Sequence, residues 1–170
     1  MKKLKKKVYQ YSPYITVFRE NFSNKFLNRK NFHHIILQDA AMVILENSKK
    51  EILFLNEYRR GIGKKTLGFP GGHLDKNEKP LNAVKRELFE ETGLVASNWK
   101  LLFSYVRSGT YYCGKDYVFK AKLRTKDKNR IEENIEKKWL DKKEIVNKLK
   151  KNKFETAGIL ASVMFYILNY

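Results

Sequence analysis

Two rhythms of apolar residues run along this chain. Alternation over 8–21, interrupted at Ser12-Pro13, predicts two strands. Runs rich in Ile, Leu, Val and Phe at 32–37, 41–45 and 51–58 predict three more. Residues 61–65, Gly-Ile-Gly-Lys-Lys, predict a turn, 66–70 a short extended piece, and Gly71-Gly72 a second turn. Strands are predicted again over 99–106, 117–123 and 135–140. The 3.6-residue rhythm marks 80–92, where Leu81, Val84 and Leu88 share one stripe. It returns in 155–168 at Ile159, Leu160, Val163, Met164 and Ile167, and a further helix is predicted from about 141. Strands, a helix, more strands and then helices predict an α/β fold with a mixed sheet covered on both faces.

The helix over 80–92 carries the first candidate chemistry. Pro80 suits its first turn and Gly93 its stop. Glu87 and Glu91 lie one above the other on its surface, with Glu90 beside them. Three neighbouring carboxylates repel one another and call for a compensating cation. Hard divalent ions take oxygen ligands, and Mg2+ sits between carboxylates and substrate phosphates. The plain alternative is a solvated acidic face. Arg86 lies one residue off that face, placed to pair with Glu78 and tie the preceding loop to the helix.

Composition narrows the classes. A chain of 170 residues predicts one domain with a real core. Its 36 Lys and Arg against 18 Asp and Glu give a net charge of +18. A nucleic-acid or anionic-membrane surface is one reading of that excess. The charges are mostly lysine and are spread along the chain, which favours an ordinary solvated surface, and an anionic phosphate substrate would benefit either way. Cys113 is the lone cysteine, so no intramolecular disulfide forms and a reducing compartment is expected. No run reaches transmembrane length, and no apolar segment follows the lysine-rich start, so a cytoplasmic protein is expected. His33, His34 and His73 lack metal-ligand spacing and read as structural or exposed. Cys113 reads as buried and inert.

Residues 72–94 carry a motif: Gly72, five residues, Glu78, seven residues, Arg86-Glu87-Leu88, one residue, Glu90-Glu91, one residue, Gly93-Leu94. The seven fixed positions alone arise by chance roughly once in 10^8 starting points. This is the Nudix box, and the chain resembles the Nudix hydrolases, which cut nucleoside diphosphates linked to another moiety. The resemblance implies the Nudix α/β/α sandwich. It implies Mg2+, with Mn2+ as a substitute, held by Glu87, Glu90 and Glu91 and the Gly71 carbonyl. It gives Arg86 and Glu78 the supporting ion pair already read from their spacing.

Flanking segments resemble one branch, the ADP-ribose and nucleotide-sugar pyrophosphatases. Residues 38–44 and then Asn56-Glu57-Tyr58-Arg59-Arg60 match it, and residues 1–37 match its N-terminal β extension, which exchanges with a partner subunit. The implied organisation is an extension over 1–37, a hydrolase domain over 38–170, and a homodimer. Implied substrate contacts are Glu57, Arg59, Gly72 and Gly109, with Phe18 and Phe22 as base platforms among the aromatics Tyr9, Tyr11 and Tyr14. Arg59 reads as a phosphate or ribose contact, or as a surface arginine beside Arg60. Glu132-Glu133-Asn134-Ile135-Glu136 matches the branch's acidic loop, with Glu133 aligned as general base and Glu132 and Glu136 as alternatives. The branch's Pro-Gly is here Ser108-Gly109, without the proline. Tyr111 resembles a tyrosine of dinucleoside polyphosphate hydrolases.

Three functions fit these residues. The first is Mg2+-dependent hydrolysis of ADP-ribose or a related nucleotide sugar to a nucleoside monophosphate and a sugar phosphate. The second is hydrolysis of dinucleoside polyphosphates or of RNA 5′ ends, favoured by Tyr111 and the basic charge. The third is a non-catalytic nucleotide sensor, for which three clustered acids have no use.

Overall fold

A computed structural model describes residues 4–12, 15–21, 31–109, 112–126 and 135–170. The chain divides into two units: residues 1–39 with 104–116, and residues 40–103 with 117–170. The predicted extension over 1–37 thus falls in a unit that also takes in a later segment.

In the first unit, β1 (Leu4–Ser12) and β2 (Ile15–Asn21) form an antiparallel hairpin broken at the predicted place. β2 pairs antiparallel with β3 (Asn31–Leu37), from Ile15 opposite Leu37 to Asn21 opposite Asn31. β3 meets the start of β9 (Tyr112–Lys126) in parallel at Ile35 and Tyr112. Arg107 closes this unit on itself. Its Nε and Nη2 reach Oδ1 of the buried Asp116 at 2.8 and 2.7 Å, and Nη2 also donates to the Gln38 carbonyl.

In the second unit the sheet runs β9, β4 (Ala40–Glu46), β5 (Ile52–Arg59), β10 (Glu136–Leu140). β6 (Lys64–Gly68) pairs with β5, β7 (Gly71–His73) with β4, and β8 (Leu94–Ser108) with β9. Helices α1 (Pro80–Thr92), α2 (Lys142–Lys150) and α3 (Ala157–Asn169) complete it. Strand alternation sorts β5 between two layers. Leu53 and Leu55 join Val43, Leu45, Val84 and Leu88 in the core beneath α1. Phe54, on the other face, stacks on Phe69 and Phe154 at 4.7 and 5.5 Å. The result is the expected α/β fold with a mixed sheet.

Three expectations need correction. Gly71-Gly72 is not a turn but the start of β7, with Met42 opposite Gly71 and Ala41 opposite Gly72. Glycine serves close approach here: a Cβ on Gly71, at φ +150, would lie 2.2 Å from the Ala41 carbonyl oxygen. The predicted turn over 61–65 ends sooner, because Lys64 and Lys65 already pair with Arg59 and Tyr58. The strands predicted over 99–106 and 117–123 are the middles of two strands of 15 residues. Polar and glycine positions near their ends, such as Ser97-Asn98 and Gly114-Lys115, interrupt the alternation and hide their full length from a hydropathy reading.

Candidate active site

The box helix is fixed at both ends and along one side. Pro80 occupies the first turn, and Gly93, at φ 68, closes the helix by donating to the Phe89 carbonyl at 2.8 Å. The Thr92 hydroxyl donates to the Leu88 carbonyl. Lys137 on β10 sends its ammonium to the Thr92 carbonyl, a cation at the negative end of the helix. Partial burial there lowers its pKa. Val84 and Leu88 are wholly buried. That stripe leaves Glu87 and Glu91 half-buried at its border and Glu90 exposed.

Arg86 is the hub of the acidic face. Its Nε and Nη2 grip both oxygens of Glu78 at 3.2 and 3.0 Å, the pair expected from the spacing. Nη2 also donates to the His73 carbonyl at 3.1 Å, so helix, loop and β7 are bound together. Nη1 reaches Glu87 at 2.8 Å and Glu90 at 3.1 Å, two contacts beyond the structural role expected. These partners, Glu78 foremost, raise the arginine's pKa, and Arg86 lowers that of Glu78.

Glu91 is tied to β7. Its Oε2 accepts the Gly71 amide hydrogen at 2.9 Å. Burial pushes this carboxyl up to about 8; the Gly71 bond opposes the shift, while the charges of Glu57 and Glu87 add to it. Burial likewise raises the Glu87 carboxyl, against the pull of Arg86. Gly72 leaves room for Glu87: a Cβ there would lie 2.5 Å from the carboxylate carbon.

Strand alternation brings in two more predicted residues. Glu57 and Arg59 continue the Leu53–Leu55 face of β5, the face beneath α1. They form an ion pair beside Gly68, and both act on the charge of Glu91, Glu57 raising its pKa and Arg59 lowering it. Arg59 is exposed, and its charge acts on Glu91.

The donor set suits a divalent ion. It consists of hard carboxylate oxygens, and Glu91 is a buried carboxyl whose ionisation lacks a nearby compensating charge strong enough to restore an ordinary pKa. Among the described residues no three acidic, histidine or cysteine side chains converge into a ready cage. Glu87 and Glu90 are instead drawn to Arg86. Glu87, Glu90, Glu91 and the Gly71 carbonyl are the groups that would hold the ion.

Other candidates do not enter this geometry. Glu136 stands opposite Asn56 on β10, so its side chain shares the face of Asn56 rather than that of Leu55 and Glu57. It accepts from Asn56 at 2.7 Å and pairs with Lys138 at 3.2 Å, and the Asn56 bond first, then Lys138, lowers its pKa. As an alternative general base it points away from the box acids. Glu132, Glu133, Phe22, Tyr14 and Tyr111 lie outside the described residues, as do the side chains of Tyr11 and Cys113. In the first unit, Phe18 stacks on the buried His34 with centroids 5.8 Å apart, and Gly109 is exposed beyond the end of β8. Tyr9 is also exposed. Lys137 escaped the sequence reading, since only the β10–β5 register turns it toward α1.

Comparison with known proteins is consistent with this site. The crystal structure of an ADP compounds hydrolase superposes with a TM-score of 0.80, covering 98% of this chain and 92% of that one at 20% identity, which shows a shared fold. The methanol dehydrogenase activator of Bacillus methanolicus is 30% identical over 90 residues, 53% of this chain and 49% of that protein. An RNA pyrophosphohydrolase of Psychrobacter cryohalolentis is 35% identical over 81 residues, 41% of this chain and 44% of that one. The 8-oxo-dGTP diphosphatase of Haemophilus influenzae is 41% identical over 66 residues, 39% of this chain and 48% of that one. The chain spans about half the length of these curated relatives. The family model of the NUDIX domain matches residues 36–163, and with the box acids, Arg86 and both glycines in register on β7 and α1, the chain belongs to the Nudix hydrolase family.

Proposed function

We propose that this protein is a Mg2+-dependent pyrophosphohydrolase of nucleoside diphosphates linked to another moiety. Its substrate is ADP-ribose or a related nucleotide sugar, cut to a nucleoside monophosphate and a sugar phosphate. The observation that carries the reading is the Glu57–Arg59 pair beside Glu91 on the face beneath α1. An arginine next to a carboxylate cluster can bind one phosphate through its planar fork while the acids serve the other. The structural neighbour, an ADP compounds hydrolase, agrees with it.

A divalent ion on Glu87, Glu90 and Glu91 would neutralise the diphosphate and make water acidic enough to attack. The protein's own groups set the geometry. Arg86 and Glu78 hold the β7–α1 loop, Gly71 orients Glu91, and Arg59 positions the substrate. Glu133, by its resemblance to the family's acidic loop, takes the proton from water. The N-terminal strands pair with a second copy in a homodimer, with Phe18 or Phe22 against the base. The setting is the cytoplasm; among the described residues no helix is long and apolar enough to cross a membrane.

A second reading has its own support. Four RNA pyrophosphohydrolases are among the curated relatives, 33–36% identical over 61–81 residues. Hydrolysis of RNA 5′ ends or dinucleoside polyphosphates is therefore the alternative, with a net charge of +18 in its favour. The intact box acids count against a nucleotide sensor. Product analysis tests the proposal: with ADP-ribose and Mg2+, AMP and ribose 5-phosphate should appear without orthophosphate. Orthophosphate or pyrophosphate as the product from every nucleotide supplied would refute it.

A further inference from the structure

The box helix is electrostatically weakest where its metal candidates sit. The last turn of α1 carries two acids, Glu90 and Glu91, and no basic residue. A helix C-terminus bears negative partial charge on carbonyls that lack an intrahelical donor, so acids there are disfavoured and a cation is favoured. Gly93, the next residue, has no side chain to offer. The cation comes from another element. The β10–β5 register sets Lys137 opposite Leu55, on the sheet face beneath α1, and its ammonium donates to the Thr92 carbonyl.

Other contacts hold the same turn without a cation. The Gly93 amide donates to the Phe89 carbonyl at 2.8 Å. The Thr92 hydroxyl donates to the Leu88 carbonyl and accepts from the Leu94 amide at 3.1 Å. The Gly71 amide donates to the Glu91 carboxylate at 2.9 Å. Lys137 adds the positive charge. It is half-buried, and among the described residues it forms no ion pair. Taking an ammonium partly out of water costs free energy, and the negative end of α1 offsets that cost.

We propose that Lys137 is a positioning residue of the hydrolytic site, holding the helix turn that presents Glu90 and Glu91 to a divalent ion. The inference rests on the metal-dependent reading given above. Lys137 acts through the helix backbone, not on the ion or the substrate. Gly71 restrains the Glu91 side chain from β7, and Lys137 restrains the backbone beside it from β10. Loss of a positive charge by itself would tighten the binding of a cation. Loss of position would weaken it, so the two effects have opposite signs.

Three readouts test this: hydrogen exchange at the Gly93 amide in excess EDTA, calorimetric titration with Mn2+, and kcat and KM. The proteins are the full chain, Lys137→Met, Lys137→Arg, and the control Lys138→Met, which removes a lysine from the opposite face of β10. In Lys137→Met the Gly93 amide should exchange about tenfold or more faster, with the amides of β5 unchanged. Its Mn2+ affinity should fall about tenfold or more, and kcat likewise, with KM nearly kept. Lys137→Arg should stay within about threefold of the parent, and Lys138→Met within about twofold. Unchanged Gly93 exchange in Lys137→Met would overturn the role. So would faster exchange with Mn2+ affinity kept or tightened, which would leave Lys137 a cap for the fold alone. Equal losses in Lys138→Met would show a diffuse effect of net charge and overturn it too. A parent that itself binds no Mn2+ and cuts no nucleotide would instead refute the hydrolase reading, and the role of Lys137 with it.

Discussion

The amide of Gly71 donates to Oε2 of Glu91 at 2.9 Å, joining strand β7 to a helix residue twenty positions later. One backbone hydrogen thus orients the most strongly perturbed carboxyl of the box. Glu91→Gln keeps the shape and removes the charge. Its hydrolytic rate should fall about a thousandfold or more, with circular dichroism and chromatographic behaviour unchanged. A rate within tenfold of the parent's would remove Glu91 from the machinery.

The same residue sets a dependence of stability on pH. In the folded, metal-free protein the Glu91 carboxyl lies at about 8, against an ordinary value of 4.5. The fold therefore binds this proton more tightly than the unfolded chain does. The contribution of Glu91 to stability should be full below pH 4.5 and be lost as pH rises through 8, and Glu87 shifts in the same direction. Thermal midpoints in EDTA at pH 5, 7 and 9 should fall for the parent and fall less for Glu91→Gln. Parallel curves for the two proteins would contradict the burial of this charge.

Two adjacent glycines should fail differently. A Cβ on Gly71 meets the backbone of Ala41 and Met42, which cannot step aside. Gly71→Ala should cost about 1–3 kcal/mol in denaturant unfolding. The three atoms nearest to a Cβ on Gly72 all belong to the carboxylate of Glu87, the far end of a flexible side chain. Gly72→Ala should keep nearly the parent's stability while displacing Glu87, with activity lower by about a hundredfold. Equal stability losses for the two would show that both glycines serve the fold alone.

Arg59 is expected to bear on substrate rather than on the fold. Its side chain is 47% exposed, and among the described residues its one ion pair is with Glu57. Arg59→Ala should raise KM for ADP-ribose about tenfold with a smaller change in kcat and an unchanged thermal midpoint. An unaltered KM would return Arg59 to the solvated surface.

The N-terminal strands should mediate assembly. Among the described residues β1 lies at the edge of its sheet, and an edge strand can offer backbone donors and acceptors to a partner. Light scattering of the full chain at micromolar concentration should give a dimer mass, and removal of residues 1–22 should weaken it and raise KM. A monomer would refute the dimer and the role given to Phe18 and Phe22.

Much of this was legible in local pattern. Pro80, Gly93 and the Leu81–Val84–Leu88 stripe fixed α1 to its observed ends. The Arg86–Glu78 pair followed from an eight-residue spacing across a short loop. What escaped depends on partners distant in sequence. Gly71-Gly72 looks like a turn until Ala41 and Met42 are opposite it. Glu136 looks like a member of the acidic loop until its register with Asn56 turns it away from the box. Lys137, one residue later, turns toward α1 for the same reason. The Glu57–Arg59 contribution could be read from resemblance, but its face could be fixed only by the alternation of β5 over the core.

The central claim is tested most directly by kcat/KM on three substrates in parallel: ADP-ribose, diadenosine tetraphosphate and 5′-triphosphorylated RNA, each with Mg2+ and with excess EDTA. ADP-ribose should give the highest value, and all activity should vanish in EDTA. Undiminished turnover in EDTA would contradict the metal site on α1, and a higher value for either polyphosphorylated substrate would transfer the protein to the second reading.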